Sequence, residues 1–479
     1  MWFAVTAAAF LAHDYWIFAI AAGTLLAFGG AKDSNPIAFY AALLCAVPPL
    51  GSTVSGLGVI NYFFDLNYLR LLSLVVLLPA AWRLFYKRGE RLPGPKVPDA
   101  LVGGYLLLLL VLAALSIPFT SALRQAFYLF IDVWLVYYVA SRSVRDLASF
   151  RDVAAAFVIG SLIMALIALF EAGRGWLLYS PLDGVLGVNS GYGNYMSRGV
   201  GGPLRVMAST GHPIVMGYLM VVTIPLLIYL KPTIRPAFIP WLGVAALVGA
   251  LIATLSRGPW VGAVAMSLVV VVVGKGASKR FGMLLAGLTA VAGVMLLFGR
   301  GQTLFDMLPF VGSVGSESVE YRKRLFEVSM RILGQSPVFG SPQFYGEEAA
   351  QELRGEGGGI DVVNTYVRVA LSSGVVGLTL FVGLFASASV LAWRTQKFSK
   401  QWPAASSAAH ALLAAIAGIL VTIATTSSVS VIPPIYFMFV GLTVGWCGQC
   451  LAIGSVDDAS DPADGAAHQF ASRLRTDAG

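Results

Sequence analysis

Charge is the scarcest thing in this chain. Only 12% of its 479 residues are Asp, Glu, Lys or Arg, about half the share of a soluble domain. Over this length such a shortage excludes a soluble globular protein, a disordered one and a fibrous one. Cysteine is nearly absent as well. Cys45, Cys447 and Cys450 make no disulfide framework. The C-x-x-C of the last two, with no second pair and no neighbouring His, reads as membrane packing rather than a redox or zinc site. No GxxxxGK[ST] and no HExxH occurs, and the four histidines, His13, His212, His410 and His468, are scattered. The sequence therefore argues against a nucleotide-driven pump and against a zinc enzyme. The net charge of +8 is spread over many short connections, which argues against a nucleic-acid partner.

Apolar residues fill the space that charge leaves, at 57% of the chain with a mean hydropathy of +0.78. A spanning helix needs about 20 mostly apolar residues. Such runs lie near 14–30, 36–50, 67–85, 99–117, 125–141, 153–171, 213–230, 237–255, 259–274, 281–299, 364–392, 406–426 and 433–452. The predicted fold is an all-α polytopic membrane protein with about 12–13 transmembrane helices. Residues 1–12 are apolar too, and read as an interfacial helix or the first half of a long span. With no basic residue ahead of them they do not read as a cleaved signal peptide.

Basic residues in short connections mark the cytoplasmic side. Arg83, Lys87, Arg88, Arg91 and Lys96 mark one loop, and Arg142, Arg145 and Arg151 the next. Lys231 with Arg235, then Lys275, Lys279 and Arg280, then Arg394, Lys397 and Lys400 mark three more. They alternate with connections poor in Lys and Arg around 51–66, 118–124 and 427–432. The alternation predicts a multi-pass membrane protein with a cytoplasmic C-terminus, the tail 453–479 being disordered. Residues 1–299 are then the first ten or so spans, 300–363 a large loop on the external side, periplasmic if the cell is a bacterium, and 364–452 the last three spans. The loop carries an amphipathic stretch over about 318–335, with Leu325, Val328 and Leu333 near one face, and a GEGGG turn at 355–359. Long loops in compact proteins are often functional, and this one is expected to fold over the outer mouth of the bundle.

Three arginines break the rule that external connections avoid basic residues. Arg205 lies in GGPLRVMASTGHP, Arg257 in the tight LSRGPW turn, and Arg322 opens the loop helix in YRKRLFE. Each could anchor the chain at lipid headgroups. A guanidinium is also a planar, permanent cation suited to gripping a diphosphate, and no metal is then required. Inside the bilayer, Asp132 and His410 are costly unless paired or hydrated. Asp132 can pair with an arginine from a neighbouring helix, and His410 lies close to a cytoplasmic end.

SRGPWVGAV, the R-x14-P-x-x-G pattern of Arg322, Pro337 and Gly340, the segment NTYVRVALSSGVVGL, and Arg205 with Gly211, His212 and Pro213 together resemble the O-antigen ligase and Wzy-type polymerase superfamily. The resemblance covers about 203–380. It implies a GT-C-like membrane glycosyltransferase acting at the periplasmic face, inverting, and using no metal, nucleotide or other cofactor. The donor would be a glycan on undecaprenyl diphosphate and the acceptor a sugar hydroxyl, with a chain-length regulator as a possible partner in the bilayer. Arg205, Arg257 and Arg322 would bind the diphosphate, while Asn364, Tyr366 and Arg324 would contact loop and glycan. One departure matters. Where the family has a His before Asn, in an HNxY-like element, this chain has Val363, which takes no proton. Asp361 could serve as the base if its segment is not helical, since on a helix two residues apart face nearly opposite ways. Otherwise Asp361 is a helix cap or first-turn acid. His212 is the other candidate base, with a capping role as its alternative, and Glu347, Glu348, Glu352 and Glu356 are further acids. The leading expectation is a polymerase of lipid-linked repeat units of a surface polysaccharide or exopolysaccharide, and the missing histidine favours it over a ligase that moves O-antigen onto lipid A-core. A flippase or secondary transporter is the alternative of another class. It should show two comparable halves with interrupted helices, whereas this chain has one dominant late loop.

Overall fold

A computed structural model describes residues 1–56, 58, 61–86, 96–144, 146–189, 192, 197, 203–273, 316–354, 360–396 and 403–458. The predicted span 281–299, the start of the large loop, the GEGGG turn, the tail from 459 and the basic residues between 274 and 280 lie outside them. Among the described residues eight helices are long and apolar enough to cross a membrane. The all-α polytopic fold is therefore present.

The N-terminal apolar run forms α1 (Trp2–Leu11) and α2 (Tyr15–Lys32). The break between them is chemical, because Asp14 accepts from Trp16 N at 2.7 Å and so starts α2 as its cap. α3 (Pro36–Leu43) is capped by Asn35 and is only 8 residues long, too short for the span expected over 36–50. Pro48 and Pro49 follow it, and a two-stranded antiparallel hairpin, β1 (Gly51–Ser55) and β2 (Tyr62–Asn67), fills the connection read as plain loop. α4 (Tyr68–Tyr86) and α5 (Lys96–Ser116) are spans. α6 (119–143) covers the run predicted at 125–141, with a π-helical turn at Phe130–Leu135. Arg70 from α4 pairs with Asp132 in that turn at 3.1 Å, the helix-to-helix pairing that makes a buried carboxylate tolerable. The same arginine donates to Asp65 O at 2.7 Å and so holds the hairpin to the bundle.

α7 (Leu147–Arg174), capped by Asp146, and α9 (Pro213–Leu230) are long spans, with the short α8 (Leu182–Leu186) between them. α9 is the hub, buried along nearly its whole length and packed on α7, on α10 (Ile239–Ala253), on α11 (Arg257–Val273) and on α15 (Pro403–Ile423). α12 (Ser316–Gln335) and α13 (Glu348–Gln351) belong to the large loop. α14 (Thr365–Gln396) and α16 (Ile432–Asp458) complete the bundle. α16 runs six residues past the point where the tail was expected to begin, since nothing in Ser455–Asp458 stops a helix.

α14 is not one rod. Gly374 has φ 64° and ψ −167°, a region open essentially to glycine alone. A straight helix would set Tyr366 and Phe381 about 22 Å apart along its axis, yet their ring centroids lie 6.2 Å apart. The amides freed by the break do not go unpaired. Val375 N donates to Pro337 O at 2.9 Å and Val376 N to Val338 O at 3.2 Å, while Leu371 O accepts from Ser341 N at 2.7 Å. The 337–341 stretch of the loop thus docks onto the break, and Gly340, at φ 68°, lies against Leu371 and Gly374 where a Cβ has no room. This is the work done by Pro337 and Gly340 of the sequence pattern.

The loop has a small core of its own. Leu325, Val328, Ile332, Phe344, Ala350, Leu353 and Val362 are buried together with Leu371 of α14. Leu333, expected on the buried face, is half-buried; the turn favours Ile332 instead. Arg331 grips Glu352 with two bonds of 3.1 and 2.7 Å, which ties α12 to α13. Gln343 donates to Ser116 O at the end of α5.

The helix ends sort into two groups. Arg142 with Asp99 (2.7 Å), Asn35 with Ser149 O, and Gln449 with Val144 O join one end of the bundle. The turns at 48–50, 203–212, 254–257, 360–364 and 425–431 gather at the other.

Candidate functional site

That second end holds a cavity of about 230 Å³. Pro48, Pro49 and Leu50 line it, as do Tyr192, Thr210 to His212, Ile214, Asp361, Val363, Thr426, Ser427, Val429 and Ser430. Five separate stretches of sequence therefore meet there.

Arg205 has a buried side chain and is not among the residues that line the cavity. Its Nε donates to Thr254 O at 3.3 Å and its Nη2 to Ser256 Oγ at 2.9 Å. Leu255 turns this corner at φ 49°, a strained value for a residue with a Cβ. The corner presents Ser256 and then Arg257 at the first residue of α11. Gly258 and Gly262 lie against the hydroxyls of Thr425, just past α15, and Thr422, in its last turn. Only a missing Cβ lets α11 approach α15 so closely, and this explains the glycine after Arg257.

Arg322 is in the second turn of α12, not at its start, and donates from Nη2 to Thr425 O at 3.2 Å. Desolvation and the like charge of Arg257 lower its pKa below the ordinary arginine value, and Asp361 opposes them. Arg257, Arg322 and Asp361 thus share one electrostatic neighbourhood, bordered by the Thr425–Ser430 turn.

Asp361 lies in irregular backbone, and the cap of α14 is Asn364, whose Oδ1 accepts from Tyr366 N (2.9 Å) and Val367 N (3.2 Å). Asp361 is therefore neither cap nor first-turn acid. It lines the cavity together with Val363, as two residues in irregular backbone can and two in a helix cannot. Ser427 Oγ donates to its Oδ1, and Tyr321 OH donates to its backbone carbonyl at 2.9 Å.

His212 also lines the cavity, and its Nδ1 accepts from Ile214 N at 3.1 Å to cap α9. Burial, with help from the charge of Arg205, lowers its pKa from 6.5 to about 4. A neutral imidazole that accepts at Nδ1 carries its proton on Nε2. It can donate into the cavity but takes up a second proton only by losing the cap. Of the two candidate bases, Asp361 has the better chemistry.

Tyr366 spends its hydroxyl on Leu420 O at 3.0 Å, and Arg324 faces Glu320 at 3.8 Å on the exposed side of α12. Neither lines the cavity. His410 lies against Val269 O at 3.2 Å, far from it in the bundle. The three cysteines are buried and free. Among the described residues no group of three His, Cys, Asp or Glu side chains is placed to hold a metal.

Glu171 is the residue that sequence reasoning missed. Fully buried at the end of α7, it accepts from Leu178 N (3.0 Å), Met207 N (3.2 Å) and Ala208 N (2.9 Å). Two of those amides lie between Arg205 and His212, so one carboxylate sets the path of both. The signal was available, because an acid inside an apolar run needs partners.

Residues 242–382 match the family described as O-antigen ligase. That stretch is therefore similar to the O-antigen ligase family, the resemblance its motifs imply. The match begins in α10, takes in the Arg257 turn and the loop, and ends beyond the break in α14. Arg205, His212 and Glu171 lie ahead of it, in the part that meets the domain at the cavity. Members of this family are glycosyltransferase-like membrane enzymes, and the eight apolar helices agree with that setting. No curated protein matches the chain.

Proposed function

We propose that this protein polymerises lipid-linked oligosaccharide repeat units at the periplasmic face of a bacterial inner membrane. The observation that supports the reading most is the meeting of Arg257, Arg322 and Asp361 around the Thr425–Ser430 turn, with Arg205 behind them on Ser256. The donor is a glycan on undecaprenyl diphosphate. The acceptor hydroxyl attacks the anomeric carbon from the face opposite the diphosphate, and a new glycosidic C–O bond forms with inversion. The old C–O bond breaks, its electron pair leaving with the diphosphate, and the hydroxyl proton passes to Asp361. Charge grows on the leaving oxygens, and guanidinium groups already in place stabilise it without reorganising. His212, neutral, donates to the sugar or the phosphate. No metal or nucleotide takes part in this scheme.

The polymerase reading rests on Val363, where ligase-like relatives carry the histidine. The family description favours a second reading, transfer of finished O-antigen to lipid A-core. Purified protein given undecaprenyl-diphosphate-linked repeat units, with no metal or nucleotide, should yield a ladder of polymer lengths. A single product formed only when lipid A-core is added would establish the ligase, and no product from either acceptor would remove both.

A further inference from the structure

One cation in the bundle is not used by that scheme. Arg368 lies one turn inside α14, half-buried, and among the described residues no carboxylate, carbonyl or hydroxyl accepts a hydrogen bond from its guanidinium. Its charge acts on the hydroxyls of Tyr105 in α5 and Tyr436 in α16. A guanidinium held inside a span without an anion is costly and marks a binding position by default.

Its position relative to the cavity is informative. The turn after α15 separates the two. Thr426, Ser427, Val429 and Ser430 face the cavity. Ser428 turns the other way, bonding Thr365 Oγ1 at 2.9 Å and interacting with the Tyr436 hydroxyl. Thr365 also donates to Thr426 O at 2.9 Å, and Arg368 is one turn further along the same helix. Arg322 holds Thr425 O at the start of that turn and shares the field of Asp361, which lines the cavity, whereas Arg368 follows Thr365, which bonds Ser428 on the turn's other face. A reaction that joins two lipid-linked molecules needs two phosphate positions, with the reacting sugars meeting between them.

We propose that Arg368 binds a phosphate oxyanion of the second lipid-linked molecule, the acceptor, across the 425–430 turn from the donor cavity. This rests on the lipid-linked transfer reading given above. The planar fork suits a phosphate.

The same oxyanion chemistry occurs in phospholipid headgroups, so the test has two arms. The full-length protein in neutral detergent is titrated with undecaprenyl diphosphate, and separately with phosphatidylglycerol, and the bound lipids are counted by native mass spectrometry. Wild type should hold two undecaprenyl diphosphates per chain. Arg368→Gln and Arg257→Gln should each lose one, the second binding about ten- to hundredfold more weakly, and Arg368→Lys should recover part of the loss. Phosphatidylglycerol binding should be the same in wild type and Arg368→Gln. Two undecaprenyl diphosphates retained by Arg368→Gln would overturn the proposal, and a loss confined to phosphatidylglycerol would make Arg368 a headgroup anchor. In either case a loss in Arg257→Gln would leave the transfer reading standing. No binding to wild type would bring down both. Fluorescence-detected gel filtration confirms that each variant folds.

Discussion

Arg205 and Arg257 are joined through a single hydroxyl, Arg205 Nη2 lying 2.9 Å from Ser256 Oγ and Ser256 being the residue before Arg257. The buried arginine does not itself line the cavity. It fixes the strained corner at Leu255 from which the second arginine projects. Two cations far apart in sequence are thereby brought to one corner of the chain. The arrangement suits an anion whose charge increases during a reaction, because the donors are fixed before the charge appears.

Arg257→Lys keeps the charge and loses the fork. If Arg257 grips a pair of diphosphate oxygens, the loss falls on turnover, on the order of 3 kcal/mol or about a hundredfold. The same change at Arg174, exposed at the end of α7, should cost little. Polymer formation from lipid-linked repeat units measures both, and near-normal turnover for Arg257→Lys would leave it a headgroup anchor.

His212 should give folding stability a pH dependence. Its folded pKa, about 4, is below the unfolded 6.5, so the unfolded chain binds the proton first. The stability is present in full above pH 6.5 and is lost as the pH falls toward 4, by up to about 3 kcal/mol. His212→Asn keeps a capping oxygen without the titration. Melting temperatures between pH 4 and 8 should fall with acid more steeply in wild type than in this variant. Parallel curves would show that the imidazole is not the group responsible.

Most of the spans were legible in the sequence, because apolar length is a local signal. Arg205, Arg257, Arg322, His212 and Asp361 were legible as candidates because each is a polar residue in an otherwise apolar or external setting. What the sequence could not show is which of them meet. The hairpin at 51–67 was missed because its strands are short and lie between spans. The break at Gly374 was missed because SSG in an apolar helix differs little from ordinary small-residue packing, and only the docked 337–341 stretch makes it stable. Glu171 and Arg368 were passed over for the same reason, as one charge in an apolar run says nothing of its partner until the helices are assembled.

Gly374→Ala tests the docking of the loop. The new Cβ would meet the Val338 carbonyl, in a backbone region closed to alanine. The strain alone costs about 1–3 kcal/mol, and the loop should come off the break. Gly173→Ala, which meets nothing within 4 Å, should be neutral or slightly stabilising. Thermal unfolding and the rate of proteolysis within 337–354 should separate the two variants. Equal behaviour would mean that the break is not held by the loop.

Orientation can be tested at Glu348, exposed on α13, because the native cysteines are all buried. Glu348→Cys should react with a membrane-impermeant maleimide in intact spheroplasts. Labelling only after lysis would put the cavity on the cytoplasmic side and end the periplasmic reading.

The sharpest test of the base uses the position that departs from the family. Asp361 and Val363 both line the cavity, and a proton acceptor needs only to reach the attacking hydroxyl from either of them. Asp361→Asn keeps the bond from Ser427 but removes the basic oxygen, and should lower turnover by about 10²- to 10⁴-fold. Ser427→Ala removes only the group that orients the carboxylate, so its loss should be smaller. Val363→His alone should change little, since Asp361 is still present. In the Asp361→Asn background, however, Val363→His should restore part of the lost rate, and the restored activity should fall as the imidazole is protonated below about pH 6.5. Polymer formation at saturating lipid-linked substrate across pH 5.5 to 8 measures this. An unimpaired Asp361→Asn would remove the carboxylate from the chemistry, and a double variant as slow as Asp361→Asn would mean that the two side chains do not serve one reacting position.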